Sequence, residues 1–110
     1  MATDAAFVEH VLGQLTAVPE VSARRMFGEY ALYAGAKLVA LACDNQLFVK
    51  ATVAGRALLG TPVEAAPYPG AKACFLIDEQ LDDADFMTAL IIATERELPR
   101  PKPKKPRRNA

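Results

Sequence analysis

The residues best suited to nucleophilic or metal chemistry in this chain are few: Cys43, Cys74 and a single histidine, His10. A reactive thiol needs exposure and a lowered pKa. Both cysteines instead fall in apolar segments predicted as strands, where cysteine ordinarily packs as a small hydrophobe. His10 sits beside Glu9 near the polar face of a predicted helix. A dyad with a cysteine would need a third, orienting group and a cleft, and the sequence displays neither. Asp78, Glu79, Asp82, Asp83 and Asp85 cluster before and into the last predicted helix, without the glycine and terminal glutamate spacing of a calcium loop. Helix capping and solvation account for them. The cysteine and histidine counts exclude zinc sites of four cysteines or of two cysteines and two histidines. Phosphate-loop, dinucleotide, serine-hydrolase and zinc-protease patterns are absent. The expectation is a non-enzyme with no catalytic residue, metal or cofactor.

Binding chemistry has more material. Arg24 and Arg25 precede a Met-Phe-Gly turn signal. If the strand alternates, one of them faces the same surface as Lys50, forming a basic patch for a phosphate or an acidic partner. The competing reading is a surface ion pair with Glu29 or Asp44, worth about 0–1 kcal/mol. Lys50 ends an apolar strand, either as a ligand contact or as a snorkelling edge residue. Tyr30 and Tyr33 are three apart and face opposite sides of a regular strand. One is expected in the core, and the other can form a contact surface with Phe27 or Phe48. The partner-binding set read from the sequence is therefore Arg24, Arg25, Tyr30, Tyr33 and Lys50.

Charge is segregated. Residues 99–110, PRPKPKKPRRNA, hold Arg100, Lys102, Lys104, Lys105, Arg107 and Arg108 and no acid, while residues 1–98 carry seven cations against thirteen acids. Four prolines in those twelve residues forbid a regular helix or central strand. The sequence predicts a domain over 1–98 and an extended, disordered tail over 99–110. Three fates fit the tail. It neutralises nucleic-acid phosphates without sequence preference, it folds back on the acidic body, or it only aids solubility.

One domain is what 110 residues allow. An apolar share of 52% and a charged share of 24% suit a globular chain. No leader pattern or membrane-length apolar run is seen, so a cytoplasmic chain with reduced thiols and no membrane partner is expected. Phe7, Val8, Val11, Leu12 and Leu15 share one face of a first helix capped by Thr3 or Asp4. A strand from about Ser22 to Phe27 bends at Gly28 and resumes over Tyr30–Tyr33. Leu38–Cys43 reads as a central strand, Leu47–Ala51 as a third and Lys72–Ile77 as a fourth. A short helix spans Val53–Gly60, and residues 65–70 read as irregular. Asp82 or Asp83 caps a last helix buried along Phe86, Met87, Leu90, Ile91 and Thr94. The order α-β-β-β-α-β-α predicts an α+β fold, a mostly antiparallel sheet of about four or more strands with helices packed on it. An open sheet edge also permits pairing with a second copy.

Arg25-Met26-Phe27-Gly28, then Leu32-Tyr33, then Leu47-Phe48-Val49-Lys50 resemble the succession found in the TfoX (Sxy) N-terminal domain family. Arg56 and Tyr68 also stand where that family has an arginine and an aromatic. The resemblance covers about residues 7–98. Family members include bacterial regulators of competence for DNA uptake, so it implies a non-catalytic regulatory module with an unidentified protein partner. Glu29 stands where many members have a second glycine. Cys74-Phe75-Leu76-Ile77-Asp78 replaces a segment that often carries aromatics and Val-Pro. Full-length regulators continue into a second domain where this sequence has its basic tail, so a stand-alone N-terminal domain is expected.

Overall fold

Apolar residues at helical spacing place the first element. In the computed structural model, which describes residues 3–101, α1 spans Ala5–Gln14 and buries Val8 and Val11. Strands β1 (Val21–Met26) and β2 (Glu29–Ala34) follow, then β3 (Lys37–Cys43) and β4 (Gln46–Val49). Helix α2 covers Val53–Leu59, β5 is the three-residue Val63–Ala65, and β6 is Cys74–Ile77. A short 3-10 helix, Glu79–Asp82, leads into α3, Ala84–Glu97. All neighbours in the sheet are antiparallel, in the order β1-β2-β3-β4-β6-β5. The α+β class is as the sequence predicts.

Two local readings change. The segment expected as one strand bent at Gly28 is a tight hairpin, in which Met26 pairs with Glu29. Its two turn residues, Phe27 and Gly28, have φ of 53° and 80°. Left-handed conformations at both positions match the right-handed twist of the flanking strands. Met-Phe-Gly signals a turn, but phenylalanine seldom adopts this conformation, so a bend at Gly28 was expected in place of a hairpin. The second change is β5, which falls between the expected short helix and the expected irregular residues, overlapping the latter at Ala65. Val63 and Glu64 are exposed there, so no buried apolar alternation announces a strand.

The sheet has two unlike faces. Tyr30, Leu32 and Ala34 of β2 join the larger core with α1 and α3, whose Met87, Leu90, Ile91 and Thr94 are buried. Ala31 and Tyr33 point the other way, into a cluster made with Leu41, Cys43, Phe48 and Cys74. No helical residue joins that second cluster. The register shifts in β3, where Leu32 pairs with Ala40 but Tyr33 pairs with Leu38. This bulge turns both Val39 and Ala40 toward the helices.

Seven residues are too few for a helix to persist alone, and α2 is held by its neighbours. Thr52 Oγ1 accepts from the Gly55 N–H at 2.9 Å. The Glu97 carboxylate, at the end of α3, accepts from the Val53 and Ala54 N–H groups at 2.7 and 2.9 Å. The Ala54 and then the Val53 hydrogen bond hold the Glu97 carboxyl below its ordinary pKa. At the start of α3, Asp83 is the cap, accepting from Phe86 N–H at 3.0 Å.

Glycine substitutions test this packing. A Cβ on Gly55 would lie 2.8 Å from Thr52 Oγ1 and 3.4 Å from both Leu90 Cδ1 and Phe75 Cε2. Gly55→Ala displaces the cap and crowds the core, so we expect a loss of about 1–2 kcal/mol in urea unfolding. Gly13, with nothing within 4 Å of such a Cβ, should gain about 0.5–1 kcal/mol as Gly13→Ala. Equal effects of the two substitutions would contradict the close docking of α2.

Candidate functional site

The antiparallel register sets where the expected binding residues point. Arg24 pairs with Ala31 and Arg25 with Tyr30, so the two arginines lie on opposite faces of β1. The Arg24 guanidinium stands 5.5 Å from the Tyr33 ring centre, and Arg25 stands 5.8 Å from that of Tyr30. These are cation–π distances. Neither arginine is in a salt bridge among the described residues. Tyr30 packs against the helix-side core and Tyr33 against the opposite cluster, so the two rings do face opposite sides. Lys50 does not join Arg24. Strands β2 and β3 lie between β1 and β4, a separation of about 14 Å at three strand spacings. Its charge acts instead on Cys74.

The other candidates behave as packing or surface groups. Cys43 and Cys74 are free and buried. Burial pushes both thiols above their ordinary value of 9.0, and Glu29 adds to the effect at Cys43. His10 Nε2 lies 3.0 Å from Asp82 Oδ1 in an exposed pair, a contact of small energetic weight. Among the described residues no group of three potential metal ligands occurs. Of the basic tail, Arg100 is described and exposed. Lys102, Lys104, Lys105, Arg107 and Arg108 lie outside the described residues.

The sequence offers Phe27 only as a contact-surface neighbour of one tyrosine, and the structure gives it a larger place. The Phe27 side chain, at the tip of the β1–β2 hairpin, is 100% exposed. Its backbone is left-handed, a conformation that costs a residue with a Cβ about 1–2 kcal/mol. Beside it Met26, Glu29, Cys43 and Tyr68 line a cavity of about 400 Å³ with Phe27. Tyr68 reaches this corner from the segment that joins β5 to β6 at the other edge of the sheet. That segment therefore crosses the helix-free face, with Pro67 buried beneath it. Tyr68 itself is 50% exposed. The available sequence signal was the bulky aromatic before Gly28, where a turn would favour asparagine or aspartate.

Glu29 is fixed by the same corner. Thr3 Oγ1 donates to Glu29 Oε1 at 2.6 Å and accepts from Asn45 N–H at 3.2 Å. The Asp44 N–H donates to the same carboxylate oxygen at 3.1 Å. Asp44 and Asn45 form a second two-residue turn with φ of 53° and 56°. Thr3 N–H also reaches the Gly28 carbonyl at 3.1 Å. One buried threonine thus ties the start of α1 to the tips of two hairpins. The Thr3 hydrogen bond holds the Glu29 carboxyl below its ordinary value of 4.5, against an opposing effect of desolvation and with help from Asp44 N–H.

A lowered folded pKa stabilises the fold above the unfolded value and loses that stabilisation as the pH falls through the folded one. Melting temperature should therefore drop on acidification below pH 4.5, and Glu29→Gln should flatten part of that drop. Parallel losses in wild type and variant would show that the Thr3–Glu29 contact contributes nothing.

Sequence comparison with known proteins points to one group. The TfoX N-terminal domain profile matches residues 13–97. The chain is also 42% identical, over 105 residues, to an uncharacterized 12.7 kDa protein in the trpE 5' region of Spirochaeta aurantia, covering 96% of this chain and 91% of that protein.

Proposed function

The chain belongs to the TfoX N-terminal domain family, and we propose that it works as a non-enzymatic regulatory or accessory module through protein–protein contacts made by the β1–β2 hairpin. Phe27 carries this reading. A fully exposed ring on a left-handed backbone contributes no burial and costs conformational energy, and such outliers gather at ligand clamps and contact sites. Arginine and tyrosine flank it on both faces of the hairpin, the residue types that dominate binding energy at interfaces. Strand β1 is the edge of the sheet, so its outer backbone groups can pair with a partner strand or with a second copy. Arg24, Arg25, Tyr30 and Tyr33 belong to this element, and Lys50 falls outside it. Free, buried thiols suit action in the cytoplasm.

A second reading follows from the six cations and no acids of residues 99–110. Contact with duplex phosphates through all six would give a log–log salt slope of about −5. Fluorescence anisotropy of labelled duplex DNA at two salt concentrations tests it, and no binding at low salt removes it.

The hairpin reading is tested by photo-crosslinking in cells that express the full chain. A photoreactive residue at Phe27 should give discrete adducts. One at Val53, which is 78% exposed on α2, should not. Arg24→Ala with Arg25→Ala should reduce the adduct yield by about tenfold or more, as expected for interface anchors. Adducts from Val53 alone, or from neither position, would contradict the assignment.

A further inference from the structure

We propose that β1 is extended by an antiparallel strand of a protein partner, and that this strand carries two adjacent acidic residues set against Arg24 and Arg25. The inference rests on the reading of the hairpin as a contact surface and names the chemistry of what it contacts. The backbone fixes the pairing positions. The Gly35 N–H donates to the Glu20 carbonyl at 2.9 Å, so Glu20 bonds toward β2. Bonding direction alternates along an antiparallel strand. Ser22, Arg24 and Met26 therefore also bond toward β2, while Val21, Ala23 and Arg25 turn their N–H and C=O groups outward. Among the described residues no other backbone group pairs with these three. Strand β1 holds no proline, so every outward donor is present. An incoming strand meets a ladder of three donors and three acceptors.

The side chains determine what that strand carries. Arg24 and Arg25 are exposed, point to opposite faces, and form no salt bridge among the described residues. Each guanidinium is set over a tyrosine ring, at 5.5 Å for Arg24 and 5.8 Å for Arg25. Consecutive residues of a strand also point to opposite faces. Two adjacent acids on the partner therefore stand directly opposite the two arginines, at Cα separations of about 4.5–5.5 Å. A guanidinium takes a carboxylate in a bidentate pair. Beyond them, the partner residues opposite Ala23 and Val21 lie beside the helix-side core and are apolar, and the one opposite exposed Ser22 is polar. From its N-terminal end the partner strand reads acid, acid, apolar, polar, apolar. A second copy of this chain fits poorly. Outward-bonding residues must face outward-bonding residues. A two-fold pair centred on Ala23 sets Arg24 diagonal to its counterpart at about 7–8 Å. One centred on Arg24 or Arg25 sets like guanidiniums directly opposite. Such charges repel within the Debye length of about 8–10 Å. A pair centred on Ser22 brings in Pro19, which has no N–H, and Glu20, whose φ of 55° ends the strand.

The test is amide hydrogen exchange of the full chain titrated with a capped peptide, Glu-Glu-Val-Thr-Val flanked by threonines. At millimolar peptide, exchange at Val21, Ala23 and Arg25 should slow by about tenfold or more. Ser22, Arg24 and Met26, already bonded to β2, should not change. Glutamine in place of both glutamates should raise the apparent Kd about tenfold, and so should Arg24→Gln with Arg25→Gln in the protein. Unaltered exchange at all six positions, equal binding of the glutamine peptide, or arginine side-chain shifts without the alternating protection would each overturn the proposal. Protection that appears without peptide and grows with protein concentration would assign the edge to a second copy and overturn it as well. Discrete Phe27 adducts in cells combined with unaltered exchange would remove this inference and leave the hairpin reading standing. Loss of both the adducts and the protection would remove the two together.

Discussion

All the helical packing falls on one side of a six-stranded sheet, and the other side must be shielded by what the strands and one connection provide. That asymmetry governs the rest of the structure. On the helix side, α1 and α3 cover the strands with large apolar residues, and α2 is fastened to the end of α3 through Glu97. On the other side the strands present smaller or self-covering residues, and the segment between β5 and β6 crosses over them. A single crossing strap cannot cover a whole sheet face. The uncovered remainder is the corner where β1, β2 and β3 meet, and Phe27 and Tyr68 flank it.

The same corner is where the polar contacts converge. Thr3 is almost fully buried, so its hydroxyl must be satisfied locally, and Glu29 and Asn45 do this. The carboxylate thereby links two of the two-residue turns to the start of α1. It also stays ionised at neutral pH beside two aromatic rings. A site with fixed negative charge and apolar walls results from holding the fold together.

Much of this was legible beforehand, for physical reasons that differ by element. Helices α1 and α3 advertise themselves because only one face is buried, and the spacing of Val8, Val11 and Leu15 or of Met87, Leu90, Ile91 and Thr94 follows directly. The end of α2 was legible because Gly60 readily takes φ of 78° and closes the helix. The β1–β2 hairpin was half legible: Met-Phe-Gly marked a turn, but phenylalanine at a left-handed position suggested a bend in one strand. Strand β5 was hidden because two of its three residues face solvent. The arginine and tyrosine pairs were identified by type, but their separation onto two faces needed the register. The cavity beside Phe27 could not be read at all, because Tyr68 is more than forty residues from Phe27 in sequence and nothing local predicts that the strap ends there.

The account rests on Phe27 being held against its own conformational preference for the sake of its exposed ring. The most direct measurement is the unfolding free energy of Phe27→Asn by chemical denaturation. Asparagine tolerates the left-handed region, and Asn-Gly is a favoured two-residue turn. If the ring serves recognition, the variant should be more stable than wild type by about 1 kcal/mol. A loss of similar size would mean that the ring holds the hairpin in place, and would contradict the reading of this corner as a contact site.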